Sequence, residues 1–141
     1  MEKEKFIEKK RLENLVGGLN TEVDALIVEG LADKYVLQKL GFEGKIFLSA
    51  ERTLEGLVED VTRGADRVAV LTDFDEHGKE QNKLISRALE KEIDVIRSVR
   101  EEFGAQLTSS GRRTVEDINP LFRDSEEKFV DAALDGLFFR S

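Results

Sequence analysis

Three carboxylates stand where this sequence could do chemistry. Glu29 ends the run Ala25-Leu26-Ile27-Val28, and Asp73 and Asp75 follow Arg67-Val68-Ala69-Val70-Leu71-Thr72. Both runs are short and apolar, as buried parallel strands are. In open α/β sheets, ligands bind beyond the carboxyl ends of the strands. If these two strands are neighbours, all three carboxylates meet at one edge. Asp73 and Asp75 are two residues apart, so in extended backbone their side chains point to the same side. Carboxylates gathered in this way repel one another unless a cation sits between them. An all-oxygen donor set suits Mg²⁺, with Mn²⁺ as a substitute. The chemistry most often built on such a cluster is phosphoryl transfer, in which metals clamp the attacking and leaving oxygens. Gly30 and Gly78 fit as turn residues that let the backbone approach a phosphate. The plainer alternative is that each acid caps the helix after its strand and complements the helix dipole.

Other residues could contact a phosphate near such a site. His77, the single histidine, could donate a proton or touch phosphate, or be a solvated loop residue. Lys79 and Lys83 belong to the helix after Asp75 and could face substrate. Arg112 and Arg113 could grip phosphates bidentately, or pair with nearby acids. Lys9-Lys10-Arg11 alternates with glutamates and reads as a solvated face.

The elements that must position these groups follow from hydrophobic spacing. Residues 3–19 read as a helix with Phe6, Leu12, Leu15, Val16 and Leu19 on one face and Gly17-Gly18 at its end. Strands are expected at 25–28, 45–48 and 67–72. The intervening helices are expected at 31–40, with Tyr35 partly buried, and at about 54–64. A further helix spans about 79–91. Residues 93–95 fit a fourth short strand or part of a longer helix. Residues 96–103 read as helical, 105–113 as a polar loop, and 114–122 as a short helix interrupted by Pro120. A last helix, capped by Ser125, would turn Phe129, Val130, Leu134 and Phe138 inward, with Phe138-Phe139 packed or at an oligomer contact. The alternation of strand and helix predicts a three-layer α/β domain around a mostly parallel sheet of about four strands.

At 141 residues, the chain suits one domain with a sizeable core. No apolar run approaches the ~18 residues of a membrane span. The charged N-terminus does not resemble a signal peptide, and cysteine is absent, so a cytoplasmic protein without disulfides or thiolate metal sites is expected. The net charge of −8 argues against a nonspecific nucleic-acid coat protein, although a local basic patch or bound metals could still receive nucleic acid.

Val28-Glu29-Gly30-Leu31-Ala32-Asp33 and Thr72-Asp73-Phe74-Asp75-Glu76-His77-Gly78 together resemble the Toprim domain. That domain is shared by topoisomerases, bacterial-type primases, OLD-type nucleases and RecR-type recombination proteins. Its signature is Glu-Gly after the first strand and Asp-x-Asp after a later one. The chain is most similar to small stand-alone Toprim proteins of archaea. The resemblance implies a Toprim core over about residues 20–100, with an N-terminal helix and a C-terminal helical extension. It implies Glu29 as catalytic acid/base and metal ligand, Asp73 and Asp75 as Mg²⁺ ligands, and Asp33 as a supporting residue. His77 departs from the topoisomerases, which carry an acid there. Three functions follow as expectations. The first is Mg²⁺-dependent, nuclease-like phosphodiester chemistry on RNA or DNA. The second is a noncatalytic metal- and phosphate-binding module docking onto RNA-processing or replication machinery. The third is an enzyme for a small phosphorylated ligand.

Overall fold

A computed structural model describes residues 2–122. The four strands are β1 (Ala25–Val28), β2 (Lys45–Leu48), β3 (Arg67–Val70) and β4 (Asp94–Val95). They form one sheet in the order β2-β1-β3-β4, and every pairing is parallel. The helices are α1 (Glu2–Glu22), α2 (Leu31–Lys39), α3 (Leu54–Gly64), α4 (Glu76–Glu90) and α5 (Arg97–Ser109), and a 3-10 turn follows over Glu116–Ile118.

Alternation along the strands sorts the core into two layers. Leu26 and Val28 of β1 face Leu12, Val16 and Leu19 of α1, Val36 and Leu37 of α2, and Val99, Phe103 and Leu107 of α5. Ala25 and Ile27 face the opposite way, toward Leu57 and Val61 of α3 and Ile85 and Leu89 of α4. With both faces covered, a parallel sheet tolerates uninterrupted apolar strands, and all four β1 residues are buried. The result is the expected three-layer, Rossmann-like α/β fold.

Several local expectations give way to packing. Helix α1 continues through Gly17-Gly18 to Glu22, because Leu19 is held in the core and the glycines lie on the outer side. Phe6 is exposed at the free end of the helix, beyond the sheet that buries Leu12. Tyr35 is also exposed, since Val36 and Leu37 take the inward positions of α2. Helix α4 starts at Glu76 rather than Lys79, because the Asp75 carboxylate accepts the Gly78 amide and caps it there. Strand β4 forms, but is only two residues long. The stretch 105–113, expected as a loop, is helical to Ser109 because Leu107 is buried. Gly104 sits within that helix against the Phe74 ring, 2.8 Å from where its Cβ would stand. The Ser125-capped helix and Phe138-Phe139 lie outside the described residues.

Phe103 is fully buried and stacks on Phe74, with ring centroids 6.3 Å apart. Phe103→Ala should therefore lower the free energy of unfolding by about 3–5 kcal/mol, as large-to-small aromatic substitutions in cores do. Urea titration followed by circular dichroism measures this loss.

Candidate metal centre

Strands β1 and β3 end side by side. Ile27 pairs with Val70, and the Leu71 amide donates to the Ile27 carbonyl at 2.7 Å. Glu29 and Asp73 therefore emerge at the same edge of the sheet, and their carboxyl groups come into hydrogen-bond contact. Burial is the first cause that raises the Asp73 carboxyl. The Glu29 contact and the charges of Glu29, Asp33 and Asp75 add to it, and together they push it up to about 7. When protonated, Asp73 donates to Glu29. When both are ionised, two negative charges face each other.

The neighbouring groups are anchored by backbone amides. Asp33, almost fully buried, accepts the Gly30 amide at 3.0 Å and so closes the first turn of α2. Its carboxyl is raised by burial, with Glu116 and Glu29 adding negative charge. Asp75 Oδ1 accepts the Gly78 amide at 2.8 Å. Gly78 is buried against the Asp73 peptide, and a Cβ there would collide with the Asp73 carbonyl. The buried Thr72 hydroxyl donates to the Gly78 carbonyl at 2.8 Å, so the loop and the start of α4 are tied together. Glu29, Asp33, Asp73 and Asp75 thus share one electrostatic neighbourhood. Among the described residues, however, no three such side chains form a ready-made metal cage. Asp33 and Asp75 are each partly engaged by an amide.

The donor chemistry fits a hard divalent cation. All four acids present oxygen, and the Asp73–Glu29 repulsion is what such an ion would relieve. Ser49 adds a polar atom at the same edge. The β1–β2 ladder continues past the strands, with Ser49 N–H donating to Val28 and Ala50 N–H donating to Glu29. Ser49 therefore lies beside Glu29, and its buried hydroxyl has no hydrogen-bond partner among the described residues.

The remaining sequence candidates fall in different places. His77 is exposed in the first turn of α4, and Lys83 is exposed further along it. Lys79 lines a cavity beside Phe74. Arg112 is bound to the Glu8 carboxylate at 3.0 and 3.1 Å and to the Asp117 carbonyl, which fastens α1 to the loop after α5. It is not free to grip a phosphate. Arg113 is exposed, and its carbonyl accepts the Phe74 amide at 2.7 Å, so its backbone flanks the Asp-x-Asp loop.

Arg100 escaped the sequence reading. Strand β4 ends at Val95, which leaves the outer edge of β3 without a strand partner beyond that point among the described residues. Arg100 Nη1 donates to the carbonyls of Val70 at 3.1 Å and Thr72 at 2.7 Å, and Nη2 donates to the Asp73 carbonyl at 2.9 Å. One guanidinium thus replaces the missing strand. Burial lowers its pKa to about 10 while Asp73 opposes the shift, so it stays charged at neutral pH. Glu116 was also missed. No local signal marks either, since Arg100 stands among Arg97, Glu101 and Glu102, and Glu116 beside Asp117.

No family model matches the chain. It is 33% identical over 81 residues to a UPF0292 protein of Thermococcus sibiricus, covering 57% of this chain and 64% of that relative. The chain thus spans just under two thirds of that protein. It is 31% identical over 102 residues to a UPF0292 protein of Methanocaldococcus jannaschii, covering 71% of this chain and 79% of the relative. A solved structure of an Aquifex aeolicus protein superposes with a TM-score of 0.62 at 22% identity, over 77% of this chain and 95% of that one. That likeness concerns the fold alone.

The raised Asp73 pKa has a consequence for stability. Its folded value lies above the ordinary value of 3.8, so between about pH 4 and 7 the folded state holds the extra proton. Without added metal, stability should fall as pH rises through that window. Asp73→Asn should remove the fall and be more stable than wild type at pH 8, by about 1 kcal/mol once solvent screening of this half-exposed group is allowed for. The difference should vanish near pH 4. Thermal melts across that range in EDTA measure it.

Proposed function

The chain belongs to the UPF0292 family, and we propose that it is a Mg²⁺-dependent, Toprim-like protein that performs nuclease-like phosphodiester chemistry on nucleic acid. The observation that carries this reading is the contact between Glu29 and Asp73. Two adjacent strands bring two acids together and place two more beside them, at the edge where parallel sheets bind ligands. A fold would not hold this repulsion for packing alone, since apolar residues would serve better.

Glu29, Asp73 and Asp75 would hold the ion, with Mn²⁺ as an alternative. When bound, the metal would neutralise charge on the attacking and leaving oxygens of a phosphodiester. Glu29 would take up the proton of the attacking water or hydroxyl. Asp33 orients the Glu29–Gly30 turn through the Gly30 amide. Arg100 fixes the Asp73 backbone, so that its carboxylate does not swing away as the site charges. Lys79 and Arg113, both exposed near this loop, would steer the phosphates of an incoming strand. A cytoplasmic setting is part of the proposal, supported by the cysteine-free chain. No helix among the described residues is long and apolar enough to cross a membrane.

Labelled single- and double-stranded RNA and DNA, incubated with Mg²⁺ or Mn²⁺, test the reading. Wild type should cleave at least one of them, and Glu29→Gln should lose about 10²-fold or more, the scale of a general acid/base group. Clean protein that cleaves none of them in either metal overturns it in favour of a noncatalytic module docking onto RNA-processing or replication machinery.

A further inference from the structure

A cavity of about 320 Å³ lies between α4 and α5, directly behind the Asp-x-Asp loop. Pairing of β4 with β3 ends at Val95, and beyond it the β3 edge meets Arg100 of α5 rather than a strand. Val70, Phe74, Val95, Ile96 and Ala105 supply apolar wall, and Lys79, Asn82, Ser86, Arg97, Arg100 and Thr108 supply polar atoms. Among the described residues, Glu101 is the one acid on the lining, outnumbered by three cations. We propose that this groove receives one unpaired base of a nucleic-acid strand whose phosphate lies at the carboxylate cluster; the proposal rests on the reading above and names the form of its substrate.

The chemistry of the walls selects that ligand. Arg100 has committed its Nη1 and Nη2 groups to the carbonyls of Val70, Thr72 and Asp73, and its guanidinium lies on the Phe74 ring, 4.3 Å from the centroid. What it has left for a ligand is the face turned away from Phe74, with Nε–H and one Nη2–H at its rim, and such a planar cation is a surface on which bases stack. The Ser86 hydroxyl donates to Asn82 Oδ1 at 3.0 Å, which fixes that amide and leaves its NH₂ donors for the edge of a base. Thr108 donates to the Gly104 carbonyl at 2.9 Å and is thereby held as an acceptor. Lys79 forms no ion pair among the described residues and stands one turn into α4, between the groove and the Asp75 cap. A cation there suits the phosphate joining the bound base to the next nucleotide, on a chain that otherwise carries net charge −8.

Pairing and stacking keep the bases of a duplex out of the groove. The volume is near the lower end of the ~300–1,000 Å³ of small-ligand sites. It is on the scale of one nucleoside, and a base that is stacked on both faces and hydrogen-bonded to its partner cannot enter it. Phe74 is both the wall of the groove and the residue between the two aspartates, so a base seated there sets its own phosphate beside Asp73 and Asp75. A duplex would have to unpair to engage.

Fluorescence anisotropy with short labelled strands tests this, in Mg²⁺ and again in EDTA. Ala105 is exposed and lines the groove, so Ala105→Trp fills it without burying new volume in the core. Single strands should bind wild type about tenfold or more tighter than a duplex of the same length. Ala105→Trp should weaken that binding by about tenfold, the scale of one lost base-stacking contact, while Ala105→Ser binds as wild type. Circular dichroism should be unchanged in both. Equal affinity for duplex and single strand, for abasic strands, or for a free mononucleotide overturns the proposal. So does an Ala105→Trp variant that binds like wild type, or the absence of binding in both buffers. Because the groove is read by binding and the metal centre by Glu29→Gln cleavage, failure of one is distinguishable from failure of the other.

Discussion

The contact between Glu29 and Asp73 is the constraint around which the sheet edge is built. Two ionised carboxylates in contact repel by several kcal/mol at protein-surface screening, on the order of 4 kcal/mol at 4 Å. The surroundings keep the pair together through backbone rather than through side-chain cations. The β1–β3 ladder sets the spacing, the Gly30 amide anchors Asp33, and the Gly78 amide anchors Asp75. Gly78 must be glycine because the start of α4 presses on the Asp73 peptide itself. These restraints gather the acids at one edge of the sheet without a side-chain cation paired to them among the described residues.

Arg100 shows how the same edge is closed on its outer side. A two-residue β4 cannot supply hydrogen-bond donors along the whole of β3, and unpaired carbonyls at a sheet edge are costly when buried. The guanidinium takes three of them at once. It also brings one positive charge beside four acids without forming the salt bridge that would silence them, because its donors point at carbonyls. The end of β4, the Arg100 clamp and the groove behind Phe74 meet at this one edge.

The strands were legible in the sequence because buried parallel strands are written as short apolar runs, and Ala25–Val28 and Lys45–Leu48 fall where those runs stand. Glu29, Asp73 and Asp75 were legible because residues just after strands share one edge whatever the neighbouring order. What local pattern could not show was long-range. Gly17-Gly18 reads as a stop, yet the core contact of Leu19 carries α1 past it. Gly104 reads as a loop, yet it lies in a helix because Phe74, thirty residues earlier, fills the space of its side chain. Arg112 reads as a phosphate contact until Glu8, at the other end of the described chain, is brought to it. Arg100 reads as an ordinary helix charge until the length of β4 is known.

The claim beneath all of this is that the acidic edge is a cation site, and calorimetric titration with Mg²⁺ tests it most directly. Wild type should bind with a saturable heat that weakens as pH falls below about 7, where Asp73 takes up its proton. Asp73→Asn, folded by circular dichroism, should lose that heat. Matching titration curves for the two proteins would contradict the account.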